Sequence, residues 1–385
     1  MLKRWDIFCR VVDNFGDAGV CWRLARQLAH EHGFSVCLWI DDLDILARLE
    51  PEVVVTAHQC VQGIELVQWN AQAEQGALDA QSPDVVIEAF GCGLPETYLA
   101  SISRAPQSPL WIVLEYLSAE PWVREHHGLP SPHPQLPIKR YFFFPGFVEG
   151  TGGLLRERDL FSRRDAFDKM RECAFWRSIG HAPLPADAIA ISMFSYDSAP
   201  LPQLLDIWKS SAERIVLAMV EGVAAKTALL HLGLPADSLM RVARCGSLEM
   251  RIVPFVPQVQ YDALLWSFDL NFVRGEDSFV RALWAARPLV WHIYPQQARA
   301  HWQKLEAFLA LYTQDLTAPA AQALMQLTHF WNGIDARGGG LHEAWGAFMQ
   351  ERHTLQAHAK AWCSRIAEMN DLAEQLARFS QDKLK

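Results

Sequence analysis

The stretch that most restricts the fold of this chain is its first forty residues. An apolar run, WDIFCRVV (Trp5–Val12), passes through a short loop with one glycine into Ala18–His30, where Val20, Leu24 and Leu28 recur at helical spacing. A second apolar run, Phe34–Ile40, follows at once. Strand, helix and strand in that order form the unit of a parallel sheet with helices on its faces. Further apolar runs at Val53–Thr56, Asp84–Phe90, Leu110–Tyr116 and Arg140–Phe144 extend the sheet. A Pro- and His-rich stretch, EPWVREHHGLPSPHPQLP, reads as a long structured loop, because its five prolines oppose a helix. Its three histidines lack the acid or cysteine that would complete a metal site.

After a helical segment at Arg163–Gly180 and a linker-like HAPLPAD, the rhythm restarts with DAIAISMFSY, RIVLAMVEG, MRIVPFV, FDLNFVRG and RPLVWHIY. At 385 residues the chain is long enough for two domains of ordinary size. The reading is therefore α/β, with two Rossmann-like domains facing a cleft, over residues 1–180 and 187–360. From about Leu341 to Phe379 the chain reads as amphipathic helix, and residues 361–385 are expected to return to the first domain.

Composition narrows the function. A formal net charge of −9 argues against a phosphate-backbone partner, so no nucleic acid is expected. Eight cysteines without a CxxC pair, several inside apolar runs, read as free thiols in a reducing compartment. The N-terminus has no signal-peptide pattern and no segment has the length of a membrane span. A soluble cytoplasmic protein with no membrane partner is the expectation.

Two loops could carry chemistry. The first, DNFGDAG, lies where many α/β proteins hold a phosphate, but places Asp13 and Asp17 around Gly16. A dinucleotide fold would need GxGxxG there. Asp41 and Asp42 after the second strand stand where a ribose-binding acid would be, yet Asp17 would repel the pyrophosphate. Each loop acid also has a plain structural reading, Asp17 as a helix N-cap and Asp13 as a turn acid. Paired acids at the ligand-binding edge of a parallel sheet suit a cationic or proton-donating substrate.

The second loop, in FVRGEDSFVRALWAARPLVWHIYPQ (Phe272–Gln296), joins Arg274, Gly275, Glu276, Asp277 and Ser278 at a strand end and helix start. Exposed amides, Ser278 and Arg274 suit a diphosphate, and Glu276 suits a sugar or ribose hydroxyl. Capping by Asp277 or Ser278, with Arg274 and Glu276 as a surface pair, is the structural alternative. Phe194, Ser195 and Tyr196 in SMFSYDS, with Phe255 and Gln258 in VPFVPQ, fall at other strand ends of the same domain. Rings and an amide there could stack on a nucleobase and read its edge.

DNFGDAGVCWRLARQLA, FSYD, VPFVPQ and RGEDSFVRALWAARPLVWHIYPQ together resemble the GT-B glycosyltransferases. More closely, they are similar to the arginine rhamnosyltransferases of bacterial elongation factor P, over essentially the whole chain. The resemblance implies inverting transfer of L-rhamnose from dTDP-β-L-rhamnose to one arginine of elongation factor P. It implies that Asp17 is the catalytic acid–base, assisted by Asp13, with Asn14, Phe15 and Gly16 supporting the loop and acceptor. Phe194, Phe255 and Gln258 would hold thymine. Arg274, Glu276, Asp277 and Ser278 would hold diphosphate and sugar, with Ser195, Tyr196 and Tyr294 nearby. No cofactor or metal is expected, since Arg274 and helix amides can neutralise the leaving group. Two other readings stay open, a nucleotide-sugar epimerase or hydrolase, and a non-catalytic partner of elongation factor P that senses the nucleotide-sugar.

Overall fold

A computed structural model describes residues 3–76, 82–133, 136, 138–235, 241–296, 300–334 and 340–384. The chain divides into two units, unit 1 from Met1–Arg158 with Ile366–Lys385, and unit 2 from Asp159–Arg365.

Unit 1 is built on strands β1 (Arg4–Cys9), β2 (Ser35–Ile40), β3 (His58–Val61), β4 (Ile64–Gln68), β5 (Val85–Ala89), β6 (Leu110–Leu114), β7 (Pro130–Pro132) and β8 (Lys139–Phe143). They run in the order β3-β4-β2-β1-β5-β6-β8-β7. All pairs are parallel except β3 with β4 and β7 with β8. Every residue of β5 and β6 is buried, the pattern of parallel strands covered on both faces. One face carries a cluster of Phe8, Trp39, Trp69, Tyr98 and Trp111. Trp5 pairs with Val36 on one side and Val85 on the other. The chain thus leaves β1 in one direction and later returns to its opposite side, so the loop after β1 lies at a topological switch point.

Unit 2 repeats the plan with β9 (Ala188–Met193), β10 (Arg214–Val220), β11 (Val242–Cys245), β12 (Leu248–Val253), β13 (Leu270–Arg274) and β14 (Leu289–His292). The order is β11-β12-β10-β9-β13-β14, and only β11 is antiparallel to its neighbour. Its switch point lies between β9 and β13.

Several expectations need correction. Val53–Thr56 is not a strand; Val54 and Val55 are exposed there. The pairing passes instead to the β3–β4 hairpin, whose turn residues Gln62 and Gly63 both take positive φ, as a tight hairpin turn demands. The Pro- and His-rich stretch holds a short helix, Trp122–His126, and β7, while its Pro134, Gln135 and Pro137 lie outside the described residues. Arg163–Gly180 is two helices, Leu160–Asp165 and Lys169–Ser178. Both belong to unit 2, which moves the expected boundary from 180 to 158. Their packing explains it, since Trp176 is buried with Val216 and Phe268, and Phe161 meets Trp284 edge-on. HAPLPAD is packed rather than a free linker, with His181 hydrogen-bonded to the Ile252 carbonyl.

The C-terminal helical tail breaks into Leu341–Gln350, Arg352–Ala367 and Leu372–Lys383. The Arg156 guanidinium donates to the Ala367 and Met369 carbonyls at the second break, and Asp371 caps the last helix. Gln27, on the helix Phe15–His32, donates to Asp371 and to the Arg156 carbonyl. These bonds hold the returning segment within unit 1.

Candidate functional site

The loop after β1 is shaped by its acids. Asp17 is not the cap of the helix Phe15–His32, which begins three residues earlier than expected, with Asn14 at the cap position. Its carboxylate reaches back instead, and Oδ2 accepts the Val12 and Asp13 amides at 2.8 Å each. The Val11 amide donates to Asp41. Asn14 adopts φ 41°, and the Gly16 amide closes the turn on the Asp13 carbonyl at 2.7 Å. A Cβ on Gly16 would come within 2.8 Å of the Asp13 carboxylate, so glycine is required for the two to stay close. Phe15 lies under the Arg48 guanidinium.

With Oδ2 engaged by two amides, Oδ1 of Asp17 accepts from the Tyr116 hydroxyl at 3.4 Å. Tyr116 stacks on Phe90 at 4.5 Å, and Phe90 takes a left-handed φ of 57°. Asp17 is 2% exposed and Asp13 9%. Burial raises the Asp17 pKa above the ordinary aspartate value, and the charge of Asp41 adds to it, against the two amides and Tyr116. The result is a buried carboxylate of raised basicity at a sheet switch point, which suits proton abstraction. Asp41 and Asp42 accept backbone amides, from Val11 and Ile45 respectively, so each has a structural role in its loop.

In unit 2 the assembled group is cationic and aromatic. Arg274, ending β13, places its guanidinium over the Phe194 ring at 4.6 Å and the Tyr196 ring at 4.8 Å. It also donates to the Ser195 carbonyl at 3.2 Å. Tyr196 meets Tyr294 edge-on at 5.6 Å. Gly275 turns the chain with φ 61°, and its carbonyl accepts the Trp291 indole N–H at 2.8 Å.

The helix Asp277–Trp284 then begins. Glu276 occupies the cap position without a side-chain cap bond, and Ser278 donates to the Arg274 carbonyl. The Ser278 hydroxyl is thus fixed against the strand end rather than capping the helix. Gln258 opens the helix Gln258–Trp266 and is 2% exposed, with Phe255 half-buried before it. Phe194 approaches Tyr261, one turn into that helix, at 6.3 Å. The buried pair of Arg281 with Asp262, at 2.7 and 2.6 Å, clamps the two helices whose starts carry Gln258 and Asp277.

The structure thus gathers Asp13, Asn14, Phe15, Gly16 and Asp17 in unit 1. It gathers Phe194, Ser195, Tyr196, Arg274 and Tyr294 in unit 2, with Glu276, Asp277 and Ser278 at the adjoining helix start. Sequence reasoning missed Phe90, Tyr116 and His292, which support these loops. Their signal was present only as polar or aromatic residues closing apolar runs, in IEAF, LEY and LVWH.

A profile of the family described as Elongation-Factor P (EF-P) rhamnosyltransferase EarP matches residues 5–381. The protein-arginine rhamnosyltransferase of Pseudomonas putida is 45% identical over 387 residues, covering 100% of both chains. That of Shewanella oneidensis is 40% identical, over 98% of this chain and 97% of its own. A solved structure described as the structural basis for EarP-mediated arginine glycosylation of translation elongation factor EF-P superposes with a TM-score of 0.69. It is 34% identical, over 98% of this chain and 99% of its own. An α-glucosyltransferase with UDP-glucose and DNA, 10% identical over 99% and 100% of the two chains, shares the fold alone at a TM-score of 0.53. With a match this complete in sequence and in fold, the chain belongs to the elongation-factor P rhamnosyltransferase family and has the GT-B glycosyltransferase architecture.

Proposed function

We propose that this chain transfers L-rhamnose from dTDP-β-L-rhamnose to one arginine side chain of translation elongation factor P, with inversion at the sugar. The observation that carries the reading is Asp17, whose Oδ2 is held by two amides while burial raises its basicity. A guanidinium is a poor nucleophile, because its lone pairs are delocalised and it stays protonated in water. Asp13 and Asp17 attract the cation and orient one nitrogen. As that nitrogen bonds to the anomeric carbon, its proton passes to Asp17 and the bond from that carbon to the diphosphate oxygen breaks. Single displacement of this kind inverts the centre and releases dTDP.

The donor belongs to unit 2. Phe194, Phe255 and Gln258 take the thymine, and Arg274 with the amides opening the helix Asp277–Trp284 meets the charge of the diphosphate. Glu276, Asp277 and Ser278 face sugar and phosphate, with Tyr196 and Tyr294 beside them. No cofactor or metal enters this reading, since Arg274 and helix amides supply the positive charge. Among the described residues no helix is long and apolar enough to cross a membrane, and the eight cysteines are free. A cytoplasmic site of action fits an acceptor that belongs to translation.

The test is dTDP release from dTDP-rhamnose, followed with elongation factor P and with a variant whose acceptor arginine is lysine. Release only with the arginine form is expected. Equal release without any acceptor would favour a nucleotide-sugar hydrolase.

A further inference from the structure

His292 ends β14, yet it reaches the segment after β9, past the intervening end of β13. Its ring is 2% exposed and packs edge-on against Tyr196 and Trp331. Nδ1 lies 3.2 Å from the Tyr196 amide, and Nε2 lies 3.3 Å from the Ser198 hydroxyl.

The backbone amide decides the tautomer. An N–H can only donate, so Nδ1 must be the unprotonated acceptor and the ring proton sits on Nε2. Burial, with the charges of Arg274 and His301 facing the ring, pushes the imidazole pKa down to about 4, which keeps this neutral form in place. Nε2–H then donates to the Ser198 oxygen. With a lone pair of that oxygen engaged, the Ser198 proton is directed away from the ring. Ser198 is exposed, and Tyr196, held by the same imidazole, stacks against the Arg274 guanidinium. An O–H so oriented, two residues from the ring that meets the Arg274 cation and on the segment leaving a sheet switch point, matches an anionic oxygen acceptor.

We infer that Ser198, aimed by His292, is a further hydrogen-bond donor to the diphosphate of the nucleotide-sugar, and that His292 is the positioning residue of the Phe194–Ser198 segment. The inference rests on the reading of unit 2 as the donor domain. His292 acts here through the residues it holds.

Titration calorimetry of the full chain with dTDP and with thymidine separates the possibilities. Ser198→Ala should weaken dTDP about tenfold, the loss of one hydrogen bond to a charged group, while thymidine affinity and the thermal midpoint stay unchanged. His292→Phe should weaken dTDP by more, since it also frees Tyr196. In the double variant Ser198→Ala should then add little, because its hydroxyl is no longer aimed. An unchanged dTDP affinity in Ser198→Ala overturns the role of Ser198, and fully additive losses overturn the role of His292. Failure of the wild-type chain to bind dTDP would instead remove the donor reading itself, and this inference with it.

Discussion

Unit 1 and unit 2 place their first strands alike, between a second strand on one side and a fifth on the other, and each opens a loop at the resulting switch point. The loop of unit 1 presents Asp13 and Asp17. The corresponding segment of unit 2 presents Phe194 and Tyr196, with Arg274 from the adjacent strand laid across both rings. One topology therefore carries charges of opposite sign. Strand order fixes where a ligand can be met, and a few loop residues fix what kind of ligand it is. In unit 1 the amides that could cradle a phosphate are turned inward on Asp17, so the loop offers a carboxylate where it could have offered N–H groups.

The comparison breaks most visibly at Asp17. Asp17→Ala should lower the turnover number by roughly 10²–10⁴ while leaving dTDP affinity intact, because the proposed donor residues lie in the other unit. Turnover equal to wild type, measured at saturating donor, would end the base assignment. The converse substitution, Arg274→Ala, should weaken dTDP by about 10- to 100-fold through lost contacts to a charged group. Calorimetry showing unchanged affinity would place the diphosphate elsewhere. Gly16→Ala sharpens the acidic side, since its Cβ would press on the Asp13 carboxylate. A loss of up to about 10² in turnover is expected, with little change in thermal midpoint.

The smaller effects are pH effects. Asp17 must be ionised to accept a proton, and burial raises its pKa. Activity should thus fall on acidification with a limb above the ordinary aspartate value, and a limb at that value would contradict the geometry. His292 behaves in the opposite sense to a paired histidine. Its folded pKa of about 4 lies below the ordinary histidine value of 6.5, so the unfolded chain binds the extra proton between them. Its contribution to stability is complete above about 6.5 and is lost as pH falls toward 4. In His292→Phe the loss of stability over that window should be smaller than in wild type, as measured by denaturant midpoints.

Much of the fold could be read before the structure, and for a clear reason. Strands such as β5 and β6 are buried on both faces and appear as apolar runs, LWIVL without a break and VVIEA with Glu88 alone interrupting it. The β3–β4 hairpin was harder, because an edge strand like His58–Val61 is half exposed and mixes polar with apolar residues. The boundary at 158 was hidden because the helices after it bind unit 2 through tertiary contacts of Trp176 and Phe161, which no local pattern announces. At the loops, glycine and charge marked the positions of Asp13, Asp17 and Arg274. The sequence left open whether Asp17 would cap its helix or turn back on the loop, and distant partners decided it. Tyr116 lies 99 residues from Asp17, and His292 lies 94 from Ser198.

The most direct test of the account is the intact mass of elongation factor P after incubation with this protein and dTDP-rhamnose, with Asp17→Ala run alongside. The account predicts one added deoxyhexose with the wild-type chain and none, over the same time, with the variant. An unmodified acceptor of proven competence, or equal modification by both chains, would contradict it.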